Sequence, residues 1–83
     1  MYNLVYDRRI ERDLRPIPRD HRRLILHRIV QLSEEPRRLQ VEKLGGVDGY
    51  RLRVGDYRVL FTIDDDRKIV TLYRVRHRRE AYR

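Results

Sequence analysis

The sequence contains no cysteine, which excludes a disulfide framework and a thiolate metal site and fits a reducing, cytoplasmic setting. It has no apolar stretch near the ~18 residues needed to span a bilayer, and Met1 to Ile10 lacks the apolar run of a signal peptide. No segment joins a wide apolar face to a basic one at membrane-binding length. Ser33 is the only serine; late in an expected helix, it is a poor nucleophile. His21, His27 and His77 are too scattered for a metal ligand set, and neither an HExxH motif, a phosphate-binding P-loop nor a glycine-rich dinucleotide fingerprint occurs. Asp64, Asp65 and Asp66 stand together but read as a solvated turn. Lysine is scarce, with only Lys43 and Lys68. No metal and no cofactor is expected.

What remains is arginine. Lys plus Arg number 21 against 13 Asp plus Glu, a net charge of +8 in 83 residues. That length suits one domain over residues 1–83 with a thin core. Arginine is matched to phosphates and bases because its planar fork donates two parallel hydrogen bonds and its face stacks on rings. The plainer alternative is an arginine-biased solvated surface, and position along the chain has to decide.

Tyr2 to Tyr6 has strand character up to Asp7, which can cap a helix of about Arg8 to Leu14. Ile10 and Leu14 lie one turn apart on it. Pro16 and Pro18 interrupt the chain, and Pro18 and Asp20 suit the start of a second helix running to about Glu34. Its stripe is Ile25, Ile29 and Leu32, widened by Leu26 and Val30. Beyond Pro36 and the glycines at 45, 46 and 49, the period becomes two. Tyr50, Leu52 and Val54 alternate with Arg51 and Arg53. Gly55-Asp56 is a two-residue turn. Tyr57, Val59, Phe61 and Ile63 then alternate with Arg58, Leu60 and Thr62. A last strand runs from Lys68 to Val75 or Arg76, followed by a short tail, at most one helical turn. The expected fold class is α+β, ordered β-α-α-β-β-β, with a helical hairpin packed on one face of a small antiparallel-dominated sheet.

The other sheet face is left open, and arginines gather on its strands: Arg51, Arg53, Arg58, Arg74 and Arg76, continuing into His77, Arg78, Arg79, Tyr82 and Arg83. Several guanidinium groups on one face create a strong positive potential, tyrosines can stack on unpaired bases, and no comparable density of carboxylates is expected there. RNA can be cleaved without a metal, because the 2′-hydroxyl is an internal nucleophile. The protein must take its proton, stabilise the phosphorane-like transition state and protonate the leaving 5′-oxygen.

The runs Lys43-Leu-Gly-Gly, Tyr50-Arg-Leu-Arg-Val-Gly-Asp-Tyr-Arg-Val-Leu-Phe and Val75-Arg-His-Arg-Arg-Glu-Ala-Tyr-Arg resemble the RelE/ParE superfamily of toxins from bacterial and archaeal toxin–antitoxin systems, and the N-terminal half resembles it too. The RelE branch implies a metal-independent, ribosome-dependent mRNA endonuclease that cuts the A-site codon by 2′-hydroxyl attack. Carried over, Arg53, Arg58 and Arg78 would hold the scissile phosphate and Tyr82 would stack on or orient a base. Arg51, Arg74, Arg76, Arg79 and Arg83 are expected to bind RNA. The chain departs from the best-known RelE motif, which has lysines where Arg51 and Arg53 stand. An arginine cannot act as a base, so His77, with Tyr82 second, is the candidate for proton transfer. The resemblance implies a cognate antitoxin, ribosomal RNA and mRNA as partners, and no membrane. Two alternatives belong to other classes: a ParE-like poison of DNA gyrase without nuclease activity, and an inactive member that only pairs with an antitoxin.

Overall fold

The computed structural model describes residues 1–38, 40–44 and 49–81. Its elements are β1 (Asn3–Tyr6), α1 (Arg8–Leu14), α2 (Arg19–Gln31), β2 (Val41–Lys43), β3 (Tyr50–Val54), β4 (Tyr57–Asp64), β5 (Ile69–His77) and α3 (Arg78–Ala81). The strands form a five-stranded mixed sheet ordered β1-β5-β4-β3-β2. β1 runs parallel to β5, and every other pairing is antiparallel. The fold is α+β, as the change of period from helical to alternating implied.

Local chemistry sets the boundaries. The Asp7 carboxylate accepts the Arg9 N–H at 2.9 Å, satisfying one of the donors that α1 leaves open. Pro18 is the N-cap of α2, where its missing N–H costs nothing. α2 ends at Gln31, not Glu34, and tightens at its C-terminus through a Leu32 N–H to Ile29 carbonyl bond. Gly55 has φ +58°, the left-handed conformation that lets Val54 turn back into Tyr57 within two residues.

The core lies between the helices and one sheet face. Ile10, Leu14, Ile17, Ile25, Ile29 and Leu32 meet Leu52, Val54, Val59, Phe61, Val70, Leu72 and Val75. Leu26 and Val30 do not widen the buried stripe as expected; both are exposed, as is Leu24. The apolar arc of α2 is wider than the sheet beneath it can cover. Tyr50 stacks on Phe61 with ring centroids 5.7 Å apart, at the core's margin.

β2 has no counterpart in the sequence reading. Three residues are too few to display alternation, and β2 exists because β3 offers it an edge, Glu42 opposite Arg51 and Lys43 opposite Tyr50. The β4–β5 register also slips: Leu60 pairs with Arg74 and Phe61 with Leu72, so Tyr73 is an extra residue on β5. This bulge returns Val75 to the buried face after Val70 and Leu72, and leaves Arg74 and Arg76 on the opposite one.

Candidate functional site

Strand register builds a grid of cationic side chains on the face opposite the core. Arg53 is opposite Arg58 on β4, and Arg58 is opposite Arg76 on β5. The next row is Glu42, Arg51, Leu60 and Arg74. Adjacent strands lie about 4.8 Å apart, so three arginines, Arg53, Arg58 and Arg76, stand in one row whose Cα atoms span about 10 Å. Directly opposed like charges destabilise a sheet, so this row has to be held in place by something else.

Arg58 shows how. Only 7% of the residue is exposed. Its Nη1 donates to the carbonyls of Gly55 and Tyr57, both at 2.8 Å. Its Nε is buried and, among the described residues, has no hydrogen-bond partner. The backbone of the Gly55-Asp56 turn thus fixes this guanidinium in one orientation. Arg78 is tied to the same turn: its N–H donates to the Asp56 carbonyl at 2.7 Å, and its Nε lies 3.7 Å from the Asp56 carboxylate. Arg53, Arg58, Arg76 and Arg78 therefore converge on one end of the sheet, around the β3–β4 turn. Arg79 follows on α3, exposed.

Carboxylates are not scarce beside these arginines, contrary to expectation. Glu42 reaches Arg51 at 3.4 Å and Arg53 at 3.9 Å. Glu80 lies 3.6 Å from Arg76. Asp13, on α1, accepts from Arg74 Nε at 2.8 Å and Nη2 at 3.1 Å, and from the Val75 N–H at 2.9 Å. Arg74 is thus built into the fold, a structural ion pair joining α1 to the part of β5 that extends past β1. Burial works against ionising Asp13, but the Arg74 and Val75 hydrogen bonds outweigh it and hold the carboxyl below its ordinary range. No sequence signal pairs Asp13 with Arg74, 61 residues away.

The structure does not bring His77 to the arginine row. It is the last residue of β5, opposite Tyr57 on the core side of the register. Its ring meets Tyr57 edge-on at 5.6 Å, and Tyr57 in turn meets His21 at 5.8 Å. Its Nδ1 accepts the Arg79 N–H at 3.3 Å. Tyr82 and Arg83 lie outside the described residues.

Two clefts flank this arrangement. One of about 410 Å³ runs along the free edge of β5 and includes Asp13, Tyr57, Arg76, His77 and Glu80. The other, about 450 Å³, has an apolar floor of Tyr6, Ile10, Leu14 and Leu26 between α1 and α2, and holds none of the arginines singled out above. The arginine row and the first cleft thus lie together on the sheet face and the β5 edge, and the second cleft is the more apolar of the two. Among the described residues no group of three or more His, Cys, Asp or Glu side chains could hold a metal ion, and no helix is long and apolar enough to cross a membrane.

The family model described as the ParE toxin of the type II toxin–antitoxin system, parDE, matches residues 4–82. The chain belongs to the RelE/ParE superfamily of toxins. Its fold superposes on RelE in an archaeal RelE–RelB complex from Pyrococcus horikoshii with a TM-score of 0.81, at 29% identity over 93% of this chain and 94% of that one. The RelBE2 toxin–antitoxin complex of Mycobacterium tuberculosis gives 0.82, at 30% identity over 93% and 98%. The isolated E. coli RelE toxin gives 0.78, at 25% identity over 93% and 84%. A search of curated proteins found no match. This toxin therefore has the type II superfamily's fold over nearly its whole described length, with an arginine row on its open sheet face.

Proposed function

We propose that this toxin is a metal-independent endoribonuclease that cuts mRNA in the ribosomal A site. The carrying observation is the Arg53–Arg58–Arg76 row, in which an almost fully buried Arg58 is clamped by backbone carbonyls among like charges. Glu42 and Glu80 offset part of this charge through long contacts to Arg53 and Arg76, and a phosphodiester would supply more. In this reading Arg53, Arg58 and Arg78 hold the scissile phosphate. The 2′-oxygen attacks phosphorus as its proton leaves, the P–O5′ bond breaks, and the 5′-oxygen takes up a proton. The arginines stabilise the additional negative charge of the transition state. With His77 turned away, the proposal gives proton transfer to Tyr82, four residues beyond Arg78. Arg51, Arg76, Arg79 and Arg83 hold flanking phosphates or ribosomal RNA.

A cognate antitoxin is the second proposed partner. The RelE structures similar to this chain include RelE–RelB complexes, and the α1–α2 groove, bordered by exposed Tyr6, Leu26 and Arg15, suits an amphipathic segment with acidic residues. The ParE description of the matching family model favours a second reading, a gyrase poison without nuclease activity. Primer extension on mRNA after induction separates the two. The endonuclease reading expects cuts within codons on translating ribosomes and toxicity that persists with a poison-resistant gyrase. Intact mRNA and toxicity that vanishes with that gyrase would establish the second reading.

A further inference from the structure

The arginines of the open face are shadowed by carboxylates from four elements, and these are not equivalent. Asp13 is built in: its side chain is 10% exposed, its contacts to Arg74 are 2.8 and 3.1 Å, and it has a third bond to the backbone. Asp56 and Glu80 each lie near one guanidinium, Arg78 and Arg76, at 3.7 and 3.6 Å. Glu42 differs from all of them. One oxygen lies 3.4 Å from Arg51 Nη2, and the other 3.9 Å from Arg53 Nε. It is half-exposed and stands on the three-residue edge strand β2.

We propose that Glu42 is an internal competitor for RNA phosphate at the Arg51–Arg53 pair, and so sets how tightly the arginine face holds RNA. This rests on the RNA-cleaving reading above. A carboxylate placing one oxygen toward each of two guanidinium groups imitates the two anionic oxygens of a phosphodiester, which the arginine fork accepts equally well. The Arg51 contact is a long hydrogen bond to a guanidinium that is only 13% exposed, whereas the 3.9 Å Arg53 contact joins two half-exposed side chains, is coulombic and is weak. Glu42 is therefore displaced most readily from Arg53, where its hold is weakest, whereas Asp13 keeps two short bonds to Arg74. Arg53 belongs both to this pair and to the Arg53–Arg58–Arg76 row. A phosphate displacing Glu42 thus sits beside the scissile one, on the neighbouring nucleotide.

The test is binding of a short single-stranded 2′-O-methyl RNA, which cannot be cleaved, followed by fluorescence anisotropy at about 0.1 M salt. Glu42→Gln keeps the shape and removes the charge; it should tighten binding about threefold to tenfold, and Glu42→Ala should move affinity in the same direction. Asp66→Asn makes the same charge change in the β4–β5 turn, about 13 Å or more along the strand from the Glu42 row and beyond a Debye length. It should tighten binding less than about twofold. The advantage of Glu42→Gln should collapse near 1 M salt, with circular dichroism confirming that each variant is folded. A Glu42→Gln affinity equal to that of Asp66→Asn, or below wild type, overturns the inference. If Arg58→Ala abolishes RNA binding while Glu42→Gln behaves like Asp66→Asn, the competitor role alone fails. If Arg53→Ala and Arg58→Ala both leave RNA affinity unchanged, the RNA reading fails and the competitor role with it.

Discussion

Removing the Asp13 carboxylate should destabilise the toxin severely. Asp13→Ala strands a partly buried Arg74 guanidinium and the Val75 N–H at once. A charged hydrogen-bond partner lost from such a site costs about 3 kcal/mol. A domain of 83 residues has a total stability of only about 4–12 kcal/mol. The melting temperature should fall by about 12–24 °C, measurable by circular dichroism. Asp13→Asn, which keeps one acceptor, should lose about half as much. In a double-mutant cycle, Arg74→Ala on the Asp13→Ala background should cost at least about 1 kcal/mol less than on the wild type, because the pair is already broken. The pH dependence has a definite sign. Asp13 is more acidic folded than unfolded, so its contribution is complete above the unfolded carboxyl value near 4 and is lost as pH falls through the lower folded value. Wild type and Asp13→Asn should therefore converge in acid. A loss below about 0.5 kcal/mol at neutral pH, or a difference that persists undiminished in acid, would refute the structural role of this pair. Arg74→Ala should also cost stability while sparing RNA affinity, and Arg53→Ala should do the reverse.

Other expectations follow from the same geometry. Arg58→Ala should lower cleavage at least about 100-fold, the usual cost of one preorganised donor to a transition-state anion. Arg58→Lys should rescue little, because an ammonium cannot bond the Gly55 and Tyr57 carbonyls while keeping a fork for phosphate; single-turnover cleavage on programmed ribosomes measures both. Gly55→Val should cost about 1–2 kcal/mol through its positive φ alone, since a Cβ there meets no atom within 4 Å; Gly55→Asn should cost less in denaturant unfolding. The Asp65 carboxyl accepts two bonds from Arg37 and one from Tyr2, which hold it down to about 2. An NMR titration should find its midpoint there, and in Arg37→Ala it should return toward the ordinary value near 4.

Much of the fold was legible because its signals are local. Asp7, Pro18 and Gly55 each act within a residue or two of where they stand, and the two-residue period of β3 and β4 fixes which arginines face away from the core. What escaped depends on distance in sequence. β2 is defined by its neighbour, not by its own three residues. The Tyr73 bulge follows from how β5 fits β4, and it decides on which face Arg74, Arg76 and His77 fall. His77 looked like the natural base because its ordinary pKa suits proton transfer near neutrality and it stands beside the arginines in sequence, yet the register sets it opposite Tyr57 on the core face. Arg74 looked like one more RNA ligand until Asp13, from a helix at the other end of the chain, took up its guanidinium. Sequence located the arginine face; it could not say which of those arginines were already engaged.

The central claim is that the arginine row serves cleavage by the RNA's own 2′-hydroxyl. Purified toxin should be mixed with ribosomes carrying mRNA with a defined A-site codon, alongside the same mRNA bearing a single 2′-deoxynucleotide at the cut position. Cleavage of the first is expected, leaving a 2′,3′-cyclic phosphate upstream and a 5′-hydroxyl downstream, and none of the second. Equal cutting of both mRNAs, a 5′-phosphate product, or no cutting at all by a toxin that still kills cells would contradict it.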